Sequence, residues 1–329
     1  MSTFLVYNKQ CSNSSNGIIA MFKVHHSLCC LLDGNTNGSF KALRVCGNPT
    51  VEKITEVYRA NAYTLAYILA YCKANNITSY RISASMFPLL THPTYTDTCL
   101  KILESIAPLF KRIDYSGIHL SCHPDQFVLL SSMNQNVNEN AIRDLNMWAY
   151  ITKEYIPLDL VNIHVGAKTN GFEIHRDIFL ENFAKLNPHA KSLVSLENDE
   201  KSYSFLETLS IAQQAGCMMV PDFHHHRCMG NRYDQSVDRL NLDAVIYEHI
   251  PQVMALYRSD VLPTFHLSSP FGGWSGGFKG TCKHADFIDT LDYPHLLQDK
   301  ITRDVRLDIE AKSKQNAIFS LRENLKNAQ

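Results

Sequence analysis

The run Val305-Arg306-Leu307-Asp308-Ile309-Glu310 carries the fold in its alternation. Successive side chains of a strand point to opposite faces, so Val305, Leu307 and Ile309 share one face and Arg306, Asp308 and Glu310 share the other. A strand with one apolar and one charged face, ending in a carboxylate, suits a barrel whose outside meets helices and whose inside lines a site. The same parity recurs upstream. Asn162 and His164 oppose Val161, Ile163 and Val165. His119, Ser121 and His123 oppose Ile118, Leu120 and Cys122. Thr264, His266 and Ser268 oppose Phe265 and Leu267, and Ser195 and Glu197 oppose Val194 and Leu196.

Strand-like segments of this kind stand at 79–84, 117–123, 160–165, 192–198, 217–223, 263–269 and 305–311, with helical patterns between them. One more, GIIAMFKV at 17–24, brings the set to eight. A long amphipathic helix spans 50–76 and stops at Asn75-Asn76. Strands alternating with helices at roughly 30–40-residue intervals describe βαβ units and a parallel sheet. The fold class expected is therefore α/β, a single (β/α)8 TIM barrel with a metal site at the C-terminal ends of its strands. The barrel domain is placed at 17–320, after a flexible Asn/Ser-rich N-terminus at 1–16 and before a C-terminal tail at 321–329. The length of 329 residues suits such a barrel, which typically takes about 250.

Composition excludes some classes of protein. With 45% hydrophobic and 19% charged residues the chain can bury a large core and is not disordered in bulk. It holds no apolar run long enough for a membrane span and no signal-peptide pattern, so a soluble intracellular protein is expected, nuclear or cytoplasmic alike. Ten cysteines without a CxxC pair read as free thiols in a reducing compartment. A net charge of −1 does not advertise nucleic-acid binding, but a local groove can be positive on a neutral protein. Fifteen histidines are the abnormal count, and histidine is the commonest metal ligand.

A His, Asp or Glu lies at or near the end of at least six of these strands, where such barrels keep their active sites. The candidate ligands are His123, His164, Glu197, Asp222, His225, His266, His284 and Glu310, with His92 just after the second strand. If these were ordinary core polar groups, each would need its own hydrogen-bond partner. Mixed imidazole and carboxylate donors suit Zn, Mn or Fe. So many donors exceed the needs of one ion, and two or three ions bridged by carboxylates would use them. Such clusters perform in-line displacement at phosphorus: one ion turns a bound water into hydroxide while another stabilises the leaving oxygen. In the His224-His225-His226 run the three side chains cannot point one way. Asp222 and His225 suit a strand end turning into a loop, with His224 and His226 behind or outside the site. His119, His175, His189, His249 and His295 read as structural or exposed. The segment 268–280 is Gly-rich but lacks GxxxxGK[ST], and reads as a long flexible loop.

SYRISASMFPLLTHP (79–93), LSCHPDQFV (120–128), VNIHVGA (161–167), LENDE (196–200), PDFHHH (221–226), FHLSS (265–269) and IEAKSK (309–314) follow one another in an order that resembles the UV-damage endonucleases. The resemblance covers about 61–314. It implies a (β/α)8 barrel holding a cluster of metal ions, with Mn²⁺ the usual activator and Zn²⁺ an alternative. It also implies nicking of damaged duplex DNA on the 5′ side of pyrimidine photoproducts and some other lesions, leaving a 3′-hydroxyl. Carried over by motif, His123, His164, Glu197, Asp222, His225, His266, His284 and Glu310 match metal ligands, and Glu197, His92 and Glu310 are the catalytic candidates. Gln126 and Phe127 match a Gln-aromatic pair that family members insert into DNA at the lesion. The partner expected is damaged duplex DNA, the protein acting as a monomer. Two departures stand out: Thr264 occupies a position where the family carries a Lys that can be carboxylated, and 1–30 has no counterpart of the family's Gly-Tyr-x-x-x-Asn segment. A sugar isomerase or epimerase on the same barrel type is the alternative enzyme. A catalytically impaired lesion binder is the alternative from another class.

Overall fold

The computed structural model describes residues 22–233 and 239–327. Eight parallel strands are arranged in the order β6-β5-β4-β3-β2-β1-β8-β7. They are β1 (Val24–Cys30), β2 (Ser79–Ser83), β3 (His119–His123), β4 (Leu160–His164), β5 (Val194–Glu197), β6 (Met218–Val220), β7 (Thr264–Leu267) and β8 (Val305–Ile309). Between β6 and β7 the ladder narrows to a single bridging pair, Asp222 with His266, and the amide of His266 donates to the Pro221 carbonyl at 2.9 Å. The sheet is thus a nearly closed TIM barrel with helices between its strands.

The outward positions follow the alternation: Val305, Leu307 and Ile309 are buried against the helical layer. So are Val161, Ile163, Leu196 and Phe265. The longest helix, α1 (Val51–Ala74), begins where Thr50 accepts from the Lys53 amide at 3.3 Å. It buries Ile54, Val57, Tyr58, Leu65, Ile68, Leu69 and Cys72, a stripe at helical spacing. It ends at Asn75, with Asn76 in the left-handed region at φ 54°. A capping box of Ser204 and Glu207 starts α6 (Phe205–Ala215), and Gly216 at φ 67° stops it.

Two local expectations are corrected, the course of the histidine run and that of the Gly-rich segment. The first strand among the described residues is Val24–Cys30, which meets the expected run 17–24 only at Val24; residues 17–21 lie outside the described residues. Pairing decides the strand, since Leu28 lies opposite Tyr80 and His26 opposite Leu307, although two histidines open it and blur its alternation. The histidine run does not enter a loop. It forms the first turn of α7 (Phe223–Tyr233), because Asp222 caps that helix through its Oδ1, which accepts from the His225 amide at 2.7 Å. The Gly-rich segment folds at its end into a short helix, Gly277–Thr281. The last helix, Lys314–Asn327, buries Leu321, so the domain boundary placed at 320 falls inside it. The N-terminus at 1–16 lies outside the described residues. All cysteines among the described residues are free, and no helix there is long and apolar enough to cross a membrane.

Candidate metal centre

Register brings the strand ends together. His164 of β4 lies opposite Glu197 of β5, and Ser83 of β2 opposite His123 of β3. Two groups of donors converge from this framework: His123, His164 and Glu197, and then Glu197, Asp222, His266 and Glu310. Glu197 belongs to both and is buried. Its Oε2 lies 3.3 Å from His123 Nε2, and its Oε1 lies 3.1 Å from His266 Nδ1 and 3.3 Å from His225 Nδ1. His266 Nδ1 is also 3.2 Å from Glu310 Oε1 and 3.8 Å from Asp222 Oδ2. His284, on the segment after β7, approaches Glu310 Oε2 at 3.6 Å. All eight ligand candidates therefore share one constellation. His92 stands apart from both donor groups. It lines a neighbouring cleft of about 730 Å³ together with Pro124, Asp125 and Phe127.

Backbone carbonyls orient several rings. His123 Nδ1 faces the Pro124 carbonyl at 2.8 Å, and His284 Nδ1 faces that of Glu310 at 2.7 Å. Held so, each ring leaves Nε2 for a ligand. Asn162, itself accepting from Ser195 Oγ at 2.9 Å, donates to Glu197 Oε2. Electrostatics are extreme here. Burial opposes ionisation of Glu197, but His266 and His164, with bonds from His123 and His225, hold its carboxyl well below the carboxylate range. Burial pushes the Asp222 carboxyl up against the pull of His225. Burial disfavours a charged His266, yet Glu197 and Glu310 beside it raise its pKa to about 10.

Asp222 Oδ2 and His266 Nδ1 lie inside the donor set, and both are buried without a hydrogen-bond partner, as is His164 Nδ1. Unsatisfied buried polar atoms of this kind cost about 1–3 kcal/mol each. Together with crowded carboxylates they are the environment that a divalent cation relieves. Imidazole mixed with carboxylate fits Mn²⁺ or Zn²⁺, so the residues present fit the expected ions.

Gln126 and Phe127 sit on the loop after β3, and Phe127 is 75% exposed while Val128 and Leu130 anchor the loop in the core. The structure also adds residues that the sequence reading passed over. The Arg81 guanidinium ion-pairs Glu310 and lies 3.8 Å from Asp308. Strand parity held this signal, since Ser79, Arg81 and Ser83 share a face. Glu200 reaches His225 Nε2 at 3.8 Å. His224, expected behind or outside the site, is wholly buried, with Nε2 3.6 Å from Cys228 Sγ. His226 is half-buried and turns to the Leu242 carbonyl at 2.8 Å. His175 is buried, its Nδ1 on the Ser131 carbonyl at 2.7 Å. Thr264 is buried and donates to the Leu262 carbonyl at 3.2 Å, one layer below His266.

Residues 40–329 match the family described as UV-endonuclease UvdE. The chain is 32% identical over 285 residues to the UV DNA damage endonuclease of Bacillus pumilus, covering 83% of each protein. It is 33% identical over 285 residues to that of Bacillus mycoides, covering 82% of each. Among solved structures it superposes on SacUVDE with a TM-score of 0.74 at 22% identity, covering 93% of this chain and 99% of that one. A D-tagatose 3-epimerase-like protein matches with a TM-score of 0.55 at 13% identity, covering 92% of this chain and 96% of that one. These structural likenesses speak for the barrel.

Proposed function

The chain belongs to the UV-endonuclease family, and from that premise we propose that it is a metal-dependent DNA repair endonuclease. In this reading it binds damaged duplex DNA as a monomer, nicks it on the 5′ side of UV photoproducts and some other lesions, and leaves a 3′-hydroxyl. The observation that carries it is Glu197, one buried carboxylate shared by two groups of donors in which His164 Nδ1, Asp222 Oδ2 and His266 Nδ1 lack hydrogen-bond partners. A cluster of two or three ions, Mn²⁺ first and Zn²⁺ second, would be held by His123, His164, Glu197, Asp222, His225, His266, His284 and Glu310. Such ions, when bound, activate a water and neutralise charge on the leaving oxygen.

The chain's own residues do the rest. Glu197 and Glu310 bring negative charge to the barrel mouth, and Asn162 and Arg81 hold them in place. Gln126 and Phe127 project from the mouth, where a planar ring can fill the space left by bases that leave the stack. His92, the remaining catalytic candidate, lines the cleft beside that loop. The test is a nicking assay on irradiated duplex. Activity should appear with Mn²⁺ and vanish in chelator, and Glu197→Ala should abolish it while leaving a folded protein with less bound metal. Full activity in Glu197→Ala would sink the reading.

A further inference from the structure

Two exposed aromatic rings stand on loops that face each other across the barrel mouth. Phe127 lies four residues beyond the end of β3 and is 75% exposed; Phe271 lies four residues beyond the end of β7 and is 61% exposed. The strand order sets β3 and β7 four strands apart by either way round, so the two loops stand on opposite sides of the metal centre. Phe127 has a part in the reading above, and Phe271 has none.

The loop after β7 is a built turn. Gly273 and Gly277 both stand at φ 66°, where a side chain is strained, and a Cβ on Gly276 would fall 2.6 Å from the Gly272 carbonyl oxygen. The Gly272 amide donates to the Gly280 carbonyl at 3.3 Å and the Phe271 amide to the Lys283 carbonyl at 2.7 Å, which folds the loop back on itself. The chain after β8 is tied to the same segment, since the Lys312 amide donates to the Ala285 carbonyl at 3.0 Å. Three exposed lysines are thereby gathered on one rim: Lys279 on the short helix, Lys283 as the backbone partner of Phe271, and Lys312, whose ammonium lies 4.4 Å from the centre of the Phe271 ring.

None of the three has a carboxylate partner among the described residues. Of the two exposed acids on the segment, Asp286 and Asp289, the second turns its Oδ1 to the Leu291 amide at 2.9 Å. Elsewhere on the mouth the lysines are neutralised: Lys168 after β4 pairs with Glu207, and Lys201 after β5 with Glu200 at 3.0 Å. An ammonium held on an aromatic face, and not by a carboxylate, is kept in place with its charge still available to an anion. A chain of net charge −1 thus shows a positive rim on one side of its mouth.

We propose that Lys279, Lys283 and Lys312 form a track for DNA phosphates: the duplex that meets Phe127 on one side of the metal centre lays its backbone on this rim at the other. The proposal rests on the reading of the chain as a DNA endonuclease and adds to it the path of the DNA. Contacts to phosphate fix the register and orientation of a duplex without reading its bases, so this rim holds damaged and undamaged DNA alike and leaves the choice of lesion to the Phe127 side.

The experiment is Mn²⁺-dependent nicking of irradiated duplex over a series of KCl concentrations, with undamaged duplex as competitive inhibitor. It compares wild type, the triple variant Lys279→Gln, Lys283→Gln, Lys312→Gln, and a charge-matched control. The control is Lys111→Gln, Lys300→Gln, Lys326→Gln, which removes exposed lysines from the last turns of helices Thr96–Lys111, Leu297–Lys300 and Lys314–Asn327, away from the mouth. The triple variant should lower the slope of log kcat/KM against log salt by about 2–3, near one unit per lost phosphate contact. It should weaken irradiated and undamaged duplex by the same factor and keep its bound metal and melting temperature. The control should keep the wild-type slope. A wild-type slope in the triple variant, an equal fall in the control, a loss confined to irradiated duplex, or a loss that follows bound metal or melting temperature overturns the proposal. Absence of nicking by the wild type overturns the endonuclease reading first and this track with it.

Discussion

His25 stands near the start of β1 and His266 near the end of β7, and their surroundings differ at every atom. At the N-terminal end of the barrel, His25 has Thr78 Oγ1 at 2.7 Å on one nitrogen and Asp304 Oδ2 at 3.0 Å on the other. His119, also at that end, has Asp159 Oδ2 at 3.1 Å. These histidines each meet one carboxylate, within reach of water, and their demands are met locally. At the other end His266 is 1% exposed among several carboxylates, and its Nδ1 makes no hydrogen bond. Residue type and strand parity are alike at the two ends. What marks the mouth is an excess of buried acceptors over donors, a deficit that one added cation repairs.

Exchanging the two histidines for alanine breaks the comparison most directly. His266→Ala should lose bound Mn²⁺ and drop nicking by orders of magnitude. His25→Ala should keep its full metal content and lose on the order of 1 kcal/mol of stability, as a partly exposed pair does. Metal analysis after dialysis and thermal unfolding of both variants decide it. Equal metal loss in the two would mean that the ends are not distinct.

A smaller effect is expected at Phe127, which belongs to the mouth but not to its ion-binding atoms. Phe127→Ala should weaken binding to damaged duplex by roughly 5–150-fold, the worth of one base–aromatic contact of about 1–3 kcal/mol. Binding to undamaged duplex and the melting temperature should barely move, because the ring is exposed. Equal losses on both duplexes, in a fluorescence anisotropy titration, would remove Phe127 from lesion recognition.

The smallest effect sharpens the comparison by testing a buried carboxylate that belongs to neither donor group. Asp144 accepts from Thr91 Oγ1 at 3.0 Å, and burial raises its pKa to about 6 despite that bond. The folded state thus holds this proton more tightly than the unfolded chain does. Its contribution is fully present below the unfolded carboxylate range and is lost as pH rises through about 6. Asp144→Asn should be more stable than wild type at pH 8, by a margin on the order of 2 kcal/mol. The margin should vanish near pH 4, and denaturant unfolding at both pH values measures it. A margin independent of pH would show that the carboxyl is not buried as described.

Alternation made most of the barrel legible, because β3, β4, β5, β7 and β8 each carry an apolar outer face and a polar inner one. It was silent where pairing outranks pattern, as in β1, whose histidines and cysteines offer no clear apolar face. The ligand candidates were legible as strand ends, and their clustering follows from register. Parity put Arg81 and Asp308 on inner faces, but not their importance, which lies in partners on other strands: Arg81 of β2 reaches Glu310, and Asp308 of β8 reaches His266. The start of α7 was hidden for a related reason. Asp222 splits its two oxygens between a helix cap and the donor set, and no spacing rule announces a shared carboxylate.

The bridging pair between β6 and β7 consists of Asp222 and His266, both in the same donor group. The barrel is therefore joined most thinly at the seam that an ion would tie. Local opening begins where backbone ladders are sparse, so this seam is where the barrel would open first. An ion bound there would be a clasp as much as a reagent: Asp222 and His266 would hold it, and its binding would stabilise the closed barrel over the open one.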